Sequence, residues 1–288
     1  MSQEGVQQGD PLGPLLFSLT TLLLLTSCGE QLKFCYLDDF TLGGDVTQLA
    51  SAVDTVCIDA KKLGLHLNDA KCELISGTLC NLSLPSQFSQ FKLVPLANAS
   101  LLGVPLSPDD ALESALKTAV DSLQLMVSRL VKLRSQDALL LLRHSFASPC
   151  ILHLLRGIYC GKHRLLSQYD NLLRDAVSDI LNIALDDSAW LQASLPIASG
   201  GIGIRSTCDM AASAFLASVH GAAFLASNIL GNSIFTDPLI RLASVDWEQL
   251  VGTSVSSVPS GLSSTQKSWD HLVVSKRFQF LLEHAQDD

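Results

Sequence analysis

The spacing of apolar and polar residues divides the chain into a mixed first part and a helical remainder. Apolar residues alternate along residues 33–42, which predicts a β-hairpin, and they recur every three or four positions along 47–63, which predicts a helix. From Pro108 onward only the helical period continues, beginning with an apolar stripe at Leu112, Leu116, Ala119, Leu123, Val127 and Leu130. The pattern therefore predicts an α+β protein whose strands all lie before about residue 107.

Further elements follow from local start and stop signals. Asp10-Pro11 reads as an N-cap and first turn, which predicts a helix that ends near Gly29. Residues 194–206 form a glycine-rich break, and the six serines of 252–266 indicate a flexible connector. The remaining predicted elements are short strands at 72–76 and within 82–106, and helices near 136–158, 164–185, 208–231 and 269–285.

The composition excludes intrinsic disorder, because 48% of the 288 residues are hydrophobic and only 16% are charged. The net charge of −9 conceals a basic block. Residues 113–174 contain 9 basic and 4 acidic residues, whereas 1–112 and 175–288 each contain 5 basic and 12 acidic residues. The basic residues of the block are Lys117, Arg129, Lys132, Arg134, Arg143, Arg156, Lys162, Arg164 and Arg174. A net acidic protein can still bind phosphate through one such face.

Cysteine usage and the uncharged runs bear on the compartment. None of the eight cysteines forms a Cys-x-x-Cys pair, and most lie among apolar residues, which predicts an intracellular protein of the cytoplasm or nucleus. The uncharged runs 11–29 and 210–236 leave a membrane protein or lipoprotein as an alternative. The first run is not preceded by Lys or Arg, whereas a secretory signal has a positive leader. We therefore expect neither secretion nor membrane contact.

The adjacent carboxylates of Asp38 and Asp39 are the clearest candidate for chemistry. They lie at the predicted apex of the hairpin, where two like charges require a counter-charge and divalent cations take oxygen ligands. Aspartate is also common in turns, where it hydrogen-bonds local backbone. The apolar residues on either side, from Phe34 to Leu37 and at Phe40, predict a buried strand, in which unpaired charges are costly. This flank favours the metal-binding interpretation.

Three more segments accompany this pair in a fixed order. The four read GVQQGDPLGPLLF at 5–17, YLDD at 36–39, GLHLNDAK at 64–71 and LLGV at 101–104. They resemble motifs B, C, D and E of the reverse transcriptases of non-LTR (LINE-like) retrotransposons. Residues 195–205, with the alanine-rich segment after them, resemble the region downstream of the polymerase in such elements. The resemblance is strong to residue 106 and looser to about residue 230.

The resemblance implies a partial polymerase palm over 1–107, consisting of a short antiparallel sheet with helices, a helical thumb over 108–190 and a C-terminal helical region over 191–288. Asp38 and Asp39 would be catalytic ligands of Mg²⁺ (or Mn²⁺), and Lys71 would protonate the leaving pyrophosphate. The implied nucleotide- and primer-binding residues are Gln8, Gly9, Tyr36, Leu102 and Gly103. Lys117, Arg129, Lys132 and Arg134 would contact the nucleic-acid backbone. The implied partners are an RNA template, a DNA primer and deoxynucleoside triphosphates.

The sequence departs from the family's pattern before motif B. The family's motif A supplies a further metal-binding aspartate and its fingers supply basic residues, but the residues before Gln8 contain no aspartate. The resemblance therefore implies a truncated reverse transcriptase that does not polymerise DNA alone. We also expect an exposed sheet edge and an exposed apolar surface near 22–25. A non-catalytic nucleic-acid-binding module that uses only the basic block is the alternative.

Overall fold

The computed structural model of the protein describes residue 5 and residues 9–29, 32–77 and 84–284. The chain divides into two compact units, Met1–Leu96 and Ala97–Asp288. Strands and helices both occur in the first unit, and helices dominate the second, which confirms the predicted α+β class. The boundary between the units lies before the last two strands. The palm and thumb labels stay predictions.

The first unit contains small sheets packed with two helices. Its elements are α1 (Gly13–Ser27), β1 (Leu32–Tyr36), β2 (Asp39–Gly43), α2 (Val46–Lys62), β3 (Glu73–Ser76) and β4 (Lys92–Pro95). Strands β1 and β2 pair antiparallel as a hairpin, while β3 and β4 pair parallel, and no sheet in the described part of the unit exceeds two strands. Helix α2 begins at Asp45, whose carboxylate accepts a hydrogen bond from the Thr47 amide at 2.9 Å.

Helix α1 differs from its prediction at its start. Asp10 is not its N-cap: the Asp10 carboxylate accepts from the Leu12 amide at 2.9 Å and closes a turn, so the helix begins only at Gly13. The Asp10 carboxylate thus closes a turn that precedes the helix. Leu15, Leu19 and Leu23 are all exposed along the helix. The apolar surface expected near 22–25 thus extends over most of α1.

The second unit is a helical assembly with a small hairpin at its start. Its elements are β5 (Ser100–Leu101), β6 (Val104–Pro105), α3 (Asp110–Leu130), α4 (Ser135–Leu141), α5 (Ser148–Gly157), α6 (Arg164–Leu181), α7 (Asp187–Ser194), α8 (Thr207–Leu230), α9 (Pro238–Val251) and α10 (Gln266–His284). A π-helical turn, Leu142–Phe146, joins α4 to α5. Helix α8 contacts α5, α6, α9 and α10, and its residues 210–217 are all buried. The core of the unit therefore forms around the first half of α8.

Polar groups fix the start of α8. The buried carboxylate of Asp170, on α6, accepts from the amide of Thr207 at 2.7 Å, from its hydroxyl at 2.6 Å and from the amide of Cys208 at 3.2 Å. It also accepts from the Ser206 hydroxyl at 2.6 Å. A carboxylate at a helix N-terminus satisfies free amides and complements the helix dipole. Asp170 therefore joins α6 to α8.

Two helices of the second unit were not predicted. Helix α9 follows Asp237, whose carboxylate accepts from the Leu239 amide at 2.8 Å, and helix α7 follows Asp186, which accepts from the Ala189 amide at 2.7 Å.

The serine-rich connector contains two 3₁₀ turns, Val255–Ser257 and Ser260–Leu262. The amide of Val255 donates to Glu248 at 2.8 Å, which attaches the connector to α9.

Two helical stretches, Ser135–Gly157 and Thr207–Leu230, are long and apolar enough to cross a membrane. The first includes the π-helical turn, and the second is α8. Core helices of soluble proteins have the same length and composition, so these properties alone do not indicate a membrane span.

Candidate catalytic hairpin and nucleic-acid interface

The β1–β2 hairpin presents Asp38 and Asp39 at its tip. Tyr36 pairs with Asp39, so only Leu37 and Asp38 form the loop. Leu37 has a φ of 55°, a left-handed conformation that costs a non-glycine residue roughly 1–2 kcal/mol. The predicted hairpin apex is confirmed, and both carboxylates are exposed there. The turn is strained at the residue between the tyrosine and the first aspartate.

Cys35 stabilises this turn. Its Sγ donates a hydrogen bond to the carbonyl of Leu37, with an S–O distance of 2.8 Å. Burial raises the pKa of the Cys35 thiol, a hydrogen bond with Thr21 opposes this shift, and the charges of Asp38 and Asp39 add to it. The thiol therefore stays protonated at neutral pH and remains a donor.

The strand that precedes the carboxylates is not buried, which corrects the expectation from its apolar sequence. Leu32, Phe34 and Tyr36 are 40%, 36% and 61% exposed, because no further strand or helix of the described residues covers this face of β1. Exposed carboxylates keep their hydration and can stay charged without a metal ion. Burial consequently does not argue for a metal at this turn.

The chemistry of the carboxylates still suits Mg²⁺. Magnesium is often held by one or two carboxylates, with waters and substrate phosphates completing its octahedron. Asp38 and Asp39 provide two such carboxylates at adjacent positions of the turn. Within the described ranges, no group of three or more His, Cys, Asp or Glu side chains is arranged to hold a metal ion. The two carboxylates thus fit a site in which waters and substrate phosphates supply the other ligands of Mg²⁺.

Gly9 and Lys71, the other predicted residues of the first unit that the structure describes, lie outside the β1–β2 hairpin. Gly9 has a φ of 92°, which favours glycine, and Gln8 lies outside the described residues. Lys71 is the exposed last residue of a 3₁₀ turn, Asp69–Lys71, which leads into β3. No hydrogen bond or ion pair within the described part of the chain joins the Lys71 side chain to Asp38 or Asp39.

Leu102 and Gly103 form the tip of the β5–β6 hairpin in the second unit. Both have positive φ, 49° and 78°, as in a type I′ two-residue turn. The hairpin packs on α5, where Val104 lies against Gly157 so closely that a Cβ there would clash with the valine side chain. Leu102 is exposed, so an apolar side chain projects from a rigidly supported turn.

The basic block is mostly engaged within the protein. Five of its nine residues have side-chain partners: Arg134 with Asp137, Arg156 with Gln266, Lys162 with Asp246, Arg164 with Glu113, and Arg174 with Asp187. Arg143 is half-buried beside Gly203. Lys117, Arg129 and Lys132 are exposed and form no ion pair with any described residue. The cations of this block that are available for a ligand therefore lie on α3 and the turn after it.

Sequence reasoning missed the polar networks and clefts of the second unit. Burial and a 2.7 Å hydrogen bond to Asp246 raise the pKa of Tyr159, and Lys162 pairs with the same carboxylate at 2.5 Å. A cleft of about 420 Å³ lies beside Arg277, which binds Asp209 through two hydrogen bonds of 2.7 and 2.9 Å. A second cleft, of about 500 Å³, lies beside His220. Such pairs join residues far apart in sequence and leave no local pattern.

Comparison with known proteins gives one informative similarity. Over 221 residues the chain is 28% identical to the retrotransposable element SLACS 132 kDa protein of Trypanosoma brucei gambiense. The chain is related to a retrotransposon protein. The similarity covers 73% of the chain but 18% of that relative, so the chain spans less than a fifth of its length. No protein-family model matches the chain.

Proposed function

We propose that this chain is the part of a retrotransposon reverse transcriptase that carries the catalytic hairpin and the thumb. The observation that supports this most strongly is the Tyr-x-Asp-Asp sequence at the tip of a two-residue hairpin, in a chain similar to a retrotransposon protein. The reaction would be RNA-directed addition of deoxynucleotides to a DNA primer. Alone, the chain binds the primer–template duplex but does not extend it.

Each candidate residue has a distinct role in this proposal. Asp38 and Asp39 hold Mg²⁺, which when bound stabilises negative charge on the attacking and leaving oxygens. Lys71 donates a proton to the pyrophosphate that leaves. Gln8, Gly9 and Tyr36 contact the nucleotide and the primer end. The exposed Leu102 supports the primer from its hairpin, together with Gly103.

The expected inactivity of the isolated chain follows from charge. Two Mg²⁺ ions carry four positive charges, and two carboxylates compensate only half of them before substrate phosphates bind. A two-ion site with so few carboxylates would bind its ions weakly, because affinity depends on the number of charged ligands. The described residues bring no third acidic group to Asp38 and Asp39. We therefore expect metal binding to depend on the nucleotide.

Duplex binding depends instead on the free cations of α3. Lys117 and Arg129 are twelve residues apart, or about 18 Å along the helix, and can contact phosphates that are well separated along the duplex. Three lysine or arginine contacts correspond to a slope of about −3 in log K against log salt concentration. This binding does not need the carboxylates.

The test measures binding of a fluorescent RNA–DNA hybrid between 50 and 200 mM salt. Lys117→Gln, Arg129→Gln and Lys132→Gln together should remove most of the affinity and of the salt slope. A matched variant changes the exposed lysines at 61, 267 and 276 to glutamine and should keep both. An equal loss of hybrid affinity in the two variants would mean that any surface cation contributes to binding. That result would contradict the assignment of duplex binding to the thumb.

A second measurement separates a catalytic hairpin from the non-catalytic binding module. Binding of Mn²⁺, followed by electron paramagnetic resonance with a deoxynucleoside triphosphate present, should be lost in Asp38→Asn and Asp39→Asn. The same variants should bind the hybrid normally. If the unmodified protein binds no Mn²⁺ beyond the nucleotide's own, the binding-module function is favoured. Primer extension by the isolated protein would contradict the expected inactivity.

A further inference from the structure

The cleft beside His220 has an aromatic end. The ring of His220, on α8, lies 5.0 Å from the ring of Phe235 and 5.1 Å from that of Trp269, measured between centroids. Burial lowers the pKa of His220, so its ring is neutral at pH 7 and offers one donor and one acceptor. Phe235 stays exposed enough for a planar group to stack against it. This end suits an aromatic heterocycle.

A free cation lies in the same cleft. Arg241, on α9, is the charged side chain among the residues that line it, and it is exposed. It makes no ion pair with any described residue, and the acidic groups of α9 are engaged elsewhere. Asp246 binds Tyr159 and Lys162, and Glu248 accepts from a backbone amide. A guanidinium without a carboxylate partner is a good ligand for phosphate.

The rest of the cleft is apolar. Ile240, Val245 and Val255 form its wall, and the Ser244 hydroxyl donates to the Ile240 carbonyl at 2.9 Å rather than into the cleft. A volume of about 500 Å³ is within the range of small-ligand sites, which are mostly apolar with a few placed polar groups. An aromatic ring with one anionic group matches this combination of walls and charge.

We propose that the cleft binds one unpaired nucleotide of a single-stranded nucleic acid. Its base stacks against Phe235 and His220, and its phosphate binds Arg241. Stacking of bases on aromatic side chains, with a cation for the backbone, is the usual means of binding single strands without sequence preference. The inference rests on the proposed nucleic-acid function, but it uses residues separate from the cations of α3.

The test compares a fluorescein-labelled single-stranded oligodeoxythymidylate of twelve nucleotides with the RNA–DNA hybrid. Arg241→Gln and Phe235→Ala should each weaken binding of the single strand about tenfold. Val245→Glu, which adds a negative charge at the mouth of the cleft, should do the same. None of the three should change the affinity for the hybrid, because the cations of α3 are intact.

Two matched controls lie on α10, outside the cleft. Lys276→Gln makes the same charge change as Arg241→Gln, and Phe278→Ala removes an equally exposed ring, so both should bind the single strand within twofold of the unmodified protein. Thermal unfolding of each variant checks that the fold is kept. With 5-iodouracil in the oligonucleotide, light-induced crosslinks should map to the peptides that contain His220 or Phe235.

The outcomes distinguish this inference from the proposed function. Normal single-strand affinity in Arg241→Gln and Phe235→Ala overturns the cleft site, while hybrid binding through α3 would still support the proposed function. The unmodified protein could instead bind the single strand but not the hybrid. If the two variants then lose single-strand binding, the result supports the cleft site and contradicts the assignment of the thumb. Complete competition by micromolar thymidine monophosphate overturns the assignment to a strand and indicates a free-nucleotide site.

Discussion

Replacing Asp170 with alanine removes the carboxylate that joins α6 to the start of α8. The carboxylate accepts four hydrogen bonds of 2.6–3.2 Å, two from backbone amides and two from hydroxyls, and its residue is only 8% exposed. The hydroxyl of Ser206 can rotate toward water. The amide and hydroxyl of Thr207 cannot, because that residue is completely buried.

The expected cost follows from these groups. A buried donor left without an acceptor costs about 1–3 kcal/mol. Loss of a negative charge at a helix N-terminus adds up to about 2 kcal/mol where the site is partly buried. We therefore expect Asp170→Ala to lower the free energy of unfolding by about 3–5 kcal/mol. Asp170→Asn keeps one carbonyl oxygen in place and should cost about half as much.

Urea titration followed by tryptophan emission measures this cost in one unit. The three tryptophans of the chain, at 190, 247 and 269, all lie in the second unit, so their emission reports its unfolding alone. Asp175→Ala is the control, because Asp175 is an exposed residue of the same helix. It should cost less than about 0.5 kcal/mol. A loss below about 1 kcal/mol for Asp170→Ala would refute the assigned role of the carboxylate.

Four other outcomes follow from the structure. Leu37→Gly should slow hydrogen exchange in the hairpin by relieving its positive φ, worth about 1 kcal/mol, whereas Leu37→Ala should not. The second unit should lose stability as the pH falls below about 6.5, because the unfolded chain protonates His220 more readily than the folded one, and His220→Gln should remove this dependence in urea titrations. Gly201→Ala should lower the melting temperature, because its Cβ would clash with the Leu195 carbonyl, whereas Gly261→Ala, at a glycine without a positive φ, meets no neighbouring atom. Limited proteolysis should cleave the first unit before the second, because the buried cluster of the first unit is much smaller. Equal cleavage rates would contradict a lower stability of the first unit.

Local patterns were sufficient for much of the fold. The alternation along 33–42 and the helical period along 47–63 correspond to the hairpin and to α2, because each element is stabilised by neighbours in sequence. Helix α9 could also have been predicted, since Asp237-Pro238 is a strong start signal. Helix α7 has only eight residues and a weak apolar face, so its sequence gives little indication of a helix.

The candidate sites were predictable only in part. The two aspartates and their hairpin could be located because motif and turn are both local. The exposure of Tyr36 could not be predicted, because it depends on which elements cover the strand. The apolar sequence of a strand does not reveal whether another element packs on it. The cleft of His220 and Arg241 depends on packing between α8 and α9, which no single segment of sequence encodes.

The exposure of the hairpin makes its carboxylates good targets for mutagenesis. In the first unit, a buried cluster consists of Cys28, Ala52 and Val56, far smaller than the core around α8, so the unit has little stability to lose. Asp38 and Asp39 are exposed, however, and form no ion pair with described residues. Their replacement by asparagine also lowers the repulsion between them. Loss of metal binding in these variants would therefore reflect lost ligands rather than unfolding.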